Sequence, residues 1–320
     1  MAMTTTTTRR RITMMRTKGA CILPFSLPKG SRAHDIGRLA HEAMLVEVSV
    51  TPKPGLVDRN HNGAHRDMNF LTFMKSAAAL RLSFDEFAFA GMSAGQAGLQ
   101  PAGLFPELRL IGQRAESAMF LATEGINTHK GEIFTLGLLS ACAGYLLGAG
   151  EVITGDAVML LAGEVCEGLC KNDFAGVKAK PPRFRTKGEK AYLQYGATGV
   201  RGEAEAGYPL VRNCGLYWLN SYLEQKIPLN EAMAIVLVHL ISENQDTNIL
   251  ARHNMMTLKR AMSAAKRVVS FTNSRLDYVM ADIKDLDKYF LSKNISPSGS
   301  ADLLAATYFL YSLTHSTPSR

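Results

Sequence analysis

The chain has 320 residues, 47% of them hydrophobic and 20% charged, with a formal net charge of +8. This balance is that of a globular protein with a large core and excludes a long disordered or low-complexity chain. No apolar run approaches the roughly 18 residues a membrane helix requires; the richest stretches, 136–147 and 235–241, are short or interrupted by small residues.

The basic excess has a place. Residues 1–32 hold seven Lys/Arg (Arg9, Arg10, Arg11, Arg16, Lys18, Lys29 and Arg32) and no Asp or Glu, which leaves 29 basic against 28 acidic residues in the remainder. Residues 1–33 therefore read as a basic, Thr-rich leader with little fixed structure, and 34–316 as one all-helical domain close to electrical neutrality. With the charge confined to the leader, neither nucleic acid nor a membrane surface is expected as a partner. The apolar part of the leader, residues 20–27, is short and interrupted by Pro24, unlike a secretory signal. The five cysteines, Cys21, Cys142, Cys166, Cys170 and Cys214, are odd in number and contain no C-x-x-C pair, as in a protein of the reducing cytoplasm.

From residue 35 onward the apolar spacing is helical, and no sustained period-two strand is present. The first helix is expected over 35–49. It runs into T-P-K-P-G-L-V-D-R-N-H-N-G-A-H-R-D, residues 51–67, where Pro52, Pro54, Gly55 and Gly63 break regular structure around Lys53, Asp58, Arg59, His61, His65, Arg66 and Asp67. Such a charged, broken loop reads as a site. The spacing of His61 and His65 would suit zinc on a helix, but Gly63 between them argues against one.

Helices are expected next at 68–82, 83–98 and 106–123. G-I-N-T-H-K-G, residues 125–131, then precedes the helix 131–148, putting Asn127, His129 and Lys130 at a helix start, where free N–H groups favour an anion; simple capping is the alternative. A helix over 154–171 would place Cys166 and Cys170 one turn apart, where they are better read as lone thiols than as a metal pair. The following stretch, 186–207, carries five glycines with Lys187, Arg201, Glu203 and Glu205. In an extended segment the two glutamates share a side and can divide acid and base roles.

Beyond the helices expected at 208–224 and 229–243, S-E-N-Q-D-T-N-I-L-A-R, residues 242–252, puts Asp246 and Asn248 at a helix start with Arg252 further on. Oxygen ligands of this kind suit magnesium carrying phosphates, and N-capping is the plainer reading. The last helices are expected at 254–271, 273–290 and 299–314, the final one opened by S-P-S-G-S-A-D, with Ser300 and Asp302. Walker, Rossmann and G-x-S-x-G patterns are absent, so no nucleotide is held in the first two ways and no serine-hydrolase elbow is present.

Taken in order, T-P-K-P-G-L-V-D-R-x-x-x-G-A-H-R-D-M, G-I-N-T-H-K-G-x-I-F, Y-G-A-T-G-x-R-G-E-A-E-A-G-Y-P, D-T-N and S-A-D-L-L-A resemble the triphosphoribosyl-dephospho-coenzyme A synthase family over about residues 35–315. Two places differ from the family pattern: Ser298 and the pair His253–Asn254 stand where it has glycine. The resemblance implies an all-α fold and a transferase that joins the triphosphoribosyl group of ATP to 3′-dephospho-coenzyme A and releases adenine. It also implies magnesium at Asp58 and Asp246, and phosphate or substrate contacts from Lys53, Arg59, Arg66, Asn127, Lys130, Arg201, Arg252 and Ser300. Acid–base chemistry falls to Glu203, Glu205, His65 and His129. The product would supply the prosthetic group of the citrate lyase acyl carrier protein, or that of malonate decarboxylase, through a separate carrier-loading transferase. The residues by themselves also admit a nucleotide hydrolase or a non-catalytic nucleotide-binding module.

Overall fold

Helical periodicity becomes helix along most of the chain. The computed structural model describes residues 33–270 and 275–315, and among these there is no β-strand. The leader, apart from Ala33, lies outside the described residues.

The first four helices are α1 (Ala33–Ser49), α2 (Phe70–Gln96), α3 (Phe105–Ala122) and α4 (Lys130–Gly148). Asn69 starts α2 with a capping box: its side chain accepts from Thr72 N while Thr72 Oγ1 accepts from Asn69 N. The break expected at 82–83 is absent, because no proline or glycine interrupts the backbone ladder between Phe70 and Ala90. Instead α2 is a single helix of 27 residues.

Helices α5 (Gly155–Val165) and α6 (Leu169–Phe174) replace the expected helix 154–171. Gly168, at a φ of 74°, takes the left-handed conformation that ends one and starts the other. Cys166 therefore caps α5 while Cys170 belongs to α6, and both are free thiols.

Three short helices occupy stretches that read as loops: α7 (Lys187–Tyr195), α8 (Val200–Glu205) and, after α9 (Tyr217–Glu224) and α10 (Leu229–Glu243), α11 (Thr247–Arg252). A π-helical turn, Val211–Leu216, leads into α9. The chain closes with α12 (Met255–Val269), α13 (Leu276–Ser292) and α14 (Ser298–His315).

The core lies where α2, α4, α10 and α14 are buried by their neighbours. Each fully buried Leu, Ile or Phe in it contributes about 1.5–3 kcal/mol. By length and composition α4 would span a membrane, which the run-length reading missed, yet 72% of its apolar window is buried inside the protein, as in a core helix. It approaches α2 backbone to backbone. A methyl group on Gly91 would collide with the carbonyl of Ala141, one on Gly95 with that of Tyr145, and one on Gly144 with that of Ala88. This contact fixes the height of α4, whose polar N-terminus meets the start of α14, the turn before α11 and the helix α8.

Candidate active site

The four polar helix ends enclose a cleft of about 170 Å³, to which Asn127, Lys130 and Gly131 contribute from the start of α4 and Glu203 from α8. Asn244, Thr247 and Asn248 come from the turn between α10 and α11, and Gly299 and Asp302 from the start of α14. A pocket of about 470 Å³ with a glycine-rich wall, Gly196 to Gly202, shares Glu203 and Asn244 with it. On the other side Lys130 also lines a pocket of about 270 Å³, with Phe87, Leu108, Phe134 and Leu138 as apolar walls and Arg109 and Arg201 as cations. A larger depression, about 610 Å³, lies instead along α12. Its lining from Met255 to Tyr289 contains no carboxylate, so the small cleft, where the polar segments converge, is the better candidate.

Local structure sets each group. Asn127 Oδ1 accepts from Lys130 N at 3.3 Å, ordering the first turn of α4. Lys130 Nζ reaches Glu116 at 2.6 Å, and Arg201 Nε reaches Asp173 at 2.7 Å. Both cations are partly exposed, so these pairs are worth under about 1 kcal/mol and yield readily to a stronger anion. Glu203 Oε2 accepts from Leu210 N at 3.2 Å. Burial raises its pKa, and the Leu210 N–H opposes that rise.

Asp246 caps α11, its Oδ1 accepting from Asn248 N at 2.8 Å and from Ile249 N at 3.3 Å, while its Oδ2 accepts from Ser300 N at 3.0 Å. Ser300, fully buried, also accepts from Asn244 Nδ2 at 3.1 Å. These bonds tie the α10–α11 turn to α14.

Beneath the cleft lies a buried charge cluster. Lys53 Nζ meets Glu47 Oε1 at 2.6 Å, with both side chains at most 2% exposed. Glu132 and Asp302 stand near this pair and Asp246 adjoins Asp302, which makes four carboxyl groups with Glu47 against one ammonium. Burial, then Glu47 and Asp302, pushes the Glu132 carboxyl well above the usual range, and its Oε2 is buried without a hydrogen-bond partner. Burial, then Asp246 and Glu47, does the same to Asp302. The Asp302 carboxyl lies so close over Gly131 that a methyl group there would collide with it. His129 is fully buried, with Nδ1 2.6 Å from Ser76 Oγ, and burial followed by Lys53 and His41 lowers its pKa to about 3.

Of the residues singled out from sequence, Asn127, Lys130 and Glu203 line the cleft, Arg201 lines the neighbouring pocket, and Ser300 and Asp246 support it from below. The others fall elsewhere. Residues 203–205 are helical rather than extended, so Glu205 points away from Glu203 and its Oε2 accepts from Cys170 N at 3.3 Å. Lys53 is spent on Glu47 and faces no solvent. Arg59 lies on the surface against Thr51 and Asn230, and neither Arg66 nor Arg252 lines the cleft. His65 is hydrogen-bonded to Ser296 Oγ at 2.9 Å, and His61 donates to Asp287 Oδ2 at 2.7 Å. The 51–67 loop is thus a buttress strapped to α13 and the start of α14.

Asp58 belongs to that buttress. It is 1% exposed; its Oδ1 accepts from Asn60 N at 2.7 Å and His61 N at 3.1 Å, and its Oδ2 from Lys53 N at 3.2 Å. With the oxygens of Asp58 and Asp246 taken by backbone N–H groups, these two aspartates do not fit a resident magnesium site. Among the described residues no three His, Cys, Asp or Glu side chains gather as a metal site either. His129, for its part, is a neutral imidazole near neutral pH and hence too weak an acid to protonate a purine.

Sequence reasoning gave no role to Glu132, Asn244 or Glu47, and read Asp302 only as part of the opening of the last helix. One signal was available: Glu132 is the one acidic residue in a helix that is apolar beyond its first turn, three residues from His129 and hence on the same face. At one of the two departures from the family pattern, the pair His253–Asn254, both residues have local roles. Asn254 caps α12 by accepting from Thr257 N at 2.9 Å, and His253 Nε2 donates to Asn294 O at 3.0 Å.

Comparison with known proteins extends over nearly the whole described chain. A family profile described as CitG: ATP:dephospho-CoA triphosphoribosyl transferase matches residues 33–320. The chain is 37% identical over 289 residues to a probable 2-(5''-triphosphoribosyl)-3'-dephosphocoenzyme-A synthase of Vibrio cholerae serotype O1 (strain M66-2), covering 90% of each. A protein of the same description from Photobacterium profundum is 37% identical over 285 residues, 88% of each chain. Another, from Lactiplantibacillus plantarum, is 39% identical over 272 residues, 85% of this chain and 94% of that one. No solved structure matches the chain.

Proposed function

The chain belongs to the ATP:dephospho-CoA triphosphoribosyl transferase family, and from that premise we propose that ATP and 3′-dephospho-coenzyme A react in the cleft between α4, α8, α11 and α14. The reaction moves the triphosphoribosyl group of ATP to a hydroxyl of the coenzyme and frees adenine. The observation that carries this placement is the convergence of Lys130, Glu203, Asn244 and Asp302 from four distant stretches on one small cavity between two wider pockets.

At about 170 Å³ the central cleft is smaller than the roughly 300–1,000 Å³ of an ordinary ligand pocket. It is sized for the reaction centre, and the flanking pockets take the substrates' ends. The N-terminus of α4 with Lys130, and Arg201 beside it, form the natural seat for phosphates, since free helix N–H groups and weakly held cations both favour an anion. Magnesium enters as the counter-ion of the triphosphate, part of the substrate rather than a resident of the protein. Displacement at the ribose C1′ has oxocarbenium character, so the attacking hydroxyl needs a base. Glu203, lining the cleft from α8, is placed for that. Asn244, fixed through Ser300, is an orienting group for the ribose hydroxyls.

Purified protein given ATP, magnesium and 3′-dephospho-coenzyme A is expected to release adenine one for one with a heavier coenzyme product. ADP, AMP or pyrophosphate in place of adenine would sink the proposal, and adenine released without the coenzyme would make the protein a hydrolase. Glu203→Gln is expected to lower kcat by about 10²–10⁴-fold. We assign the product to the prosthetic group of the citrate lyase carrier protein, by way of a carrier-loading transferase in the cytoplasm. Product that restores activity to apo-malonate decarboxylase but not to apo-citrate lyase would move the assignment to the other branch.

A further inference from the structure

We propose that Asp302 is the general acid that protonates the departing adenine, working across the cleft from Glu203. The inference rests on the reaction proposed above and names its second catalytic carboxyl.

Asp302 and Glu203 are the two carboxyl groups that line the cleft, and they enter it from different helices, α14 and α8. Two carboxyls facing one reaction centre from separate elements are what displacement at a sugar C1′ requires: one takes a proton from the nucleophile, the other gives one to the leaving group. Their surroundings divide the roles. Asp302 is faced by Glu132 and Lys130 from α4, by Glu47 from α1 with Lys53 bonded to it, by Asp246 from the start of α11 and by Glu203 itself. Four carboxyl groups against two ammonium groups make the balance around Asp302 acidic, and one of the two, Lys53, is bonded to Glu47. Burial and these like charges keep a proton on Asp302 at pH values where an ordinary aspartate has lost it.

Glu203 has only burial against it, eased by the Leu210 N–H. It is therefore the group that ionises first, and two environments pushed apart in this way separate acid from base. An independent sign that the region is built for a ligand is Glu132 Oε2, buried within the cluster with no partner. The position of Asp302 also eases loss of its proton. Its carboxyl lies over Gly131 in the first turn of α4, where the helix N-terminus stabilises the carboxylate as it forms.

The step balances without an outside reactant. The C1′–N9 bond breaks and its electron pair goes to the purine, which takes the Asp302 proton on a ring nitrogen. The hydroxyl oxygen of dephospho-coenzyme A bonds to C1′, and its proton passes to Glu203. One proton returned from Glu203 to Asp302 through water restores the enzyme.

The test compares ATP with an ATP analogue methylated at N7, whose base is already cationic and leaves without a proton. Asp302→Asn should lower kcat with ATP by about 10²–10⁴-fold, and turnover of the methylated analogue should stay within about tenfold of the unaltered enzyme. Glu203→Gln should lose both substrates alike. Equal losses of Asp302→Asn on both substrates, near-normal turnover of ATP, or restoration by raised magnesium would each overturn the assignment. Should Asp302→Asn fail to fold, the unaltered enzyme still decides. Its kcat at saturating ATP should fall at alkaline pH as the acid ionises, and the methylated analogue should lack that limb; the same limb in kcat for both substrates overturns it. An unaltered enzyme that frees no adenine from ATP and dephospho-coenzyme A would instead refute the proposed function itself.

Discussion

Lys53 shows how far a side chain's chemistry and its position can diverge. In the sequence it is a cation in a broken, charged loop and reads as a phosphate contact; in the structure it is 2% exposed and paired with Glu47 at 2.6 Å. Removing one partner of a buried pair leaves the other charge uncompensated at a cost of about 3–5 kcal/mol, whereas breaking a surface pair costs under about 1 kcal/mol. Lys53→Met is accordingly expected to destabilise the protein by about 3–5 kcal/mol in urea denaturation, and the double variant Lys53→Met/Glu47→Gln by clearly less than the sum of the two singles. Additive losses would show that the pair is not coupled.

His129 makes a prediction in pH. Its folded pKa of about 3 lies below the ordinary 6.5, so between these values the unfolded chain binds the proton that the folded one refuses. Stability is then full above about pH 6.5 and falls as pH drops towards 3. His129→Gln should flatten that part of a plot of melting temperature against pH. Burial is the property that residue types alone do not reveal, which is why the sequence points to Asn127, Lys130 and Glu203, which line the cleft, but not to the closed surroundings of His129.

Among the helices, the long ones were legible because apolar periodicity is a local signal, and in the structure Thr154 and Asn254 cap the starts of α5 and α12. The short helices α7, α8 and α11 were not. Each has nine residues or fewer and no long apolar stripe, so tertiary contacts rather than sequence pattern hold it. That omission had a cost at the site, since reading 203–205 as extended put Glu205 beside Glu203. Glycine supplies two tests at this scale. Gly→Ala inside a helix ordinarily stabilises it by up to about 1 kcal/mol, yet Gly91→Ala or Gly144→Ala would press a methyl group into the facing backbone. Each is expected to destabilise by about 1–3 kcal/mol in thermal or urea unfolding. Gly131→Ala should act differently, displacing the Asp302 carboxyl and lowering kcat by at least tenfold with little change in melting temperature.

For the molecule as a whole, the all-α class and the order of the polar segments were legible, and their meeting point was not. Periodicity says which residues a helix buries but nothing about which helix ends face one another. Residues 127–131, 203, 244–248 and 299–302 are brought together only when α4, α8, α10 and α14 are docked. Enzyme activity and helical circular dichroism are therefore expected to vanish at the same denaturant concentration. Activity lost well before the helices would mean that α14 or α8 undocks on its own.

The excess of carboxyl groups under the cleft also ties substrate affinity to the proton concentration of the buffer. A triphosphate arriving above Glu132 and Asp302 makes their ionised forms still less favourable, so the protein should take up protons from solution as the nucleotide binds. That uptake has a calorimetric signature: the apparent enthalpy of ATP binding should differ between phosphate and Tris in proportion to their heats of ionisation, and affinity should weaken as pH rises.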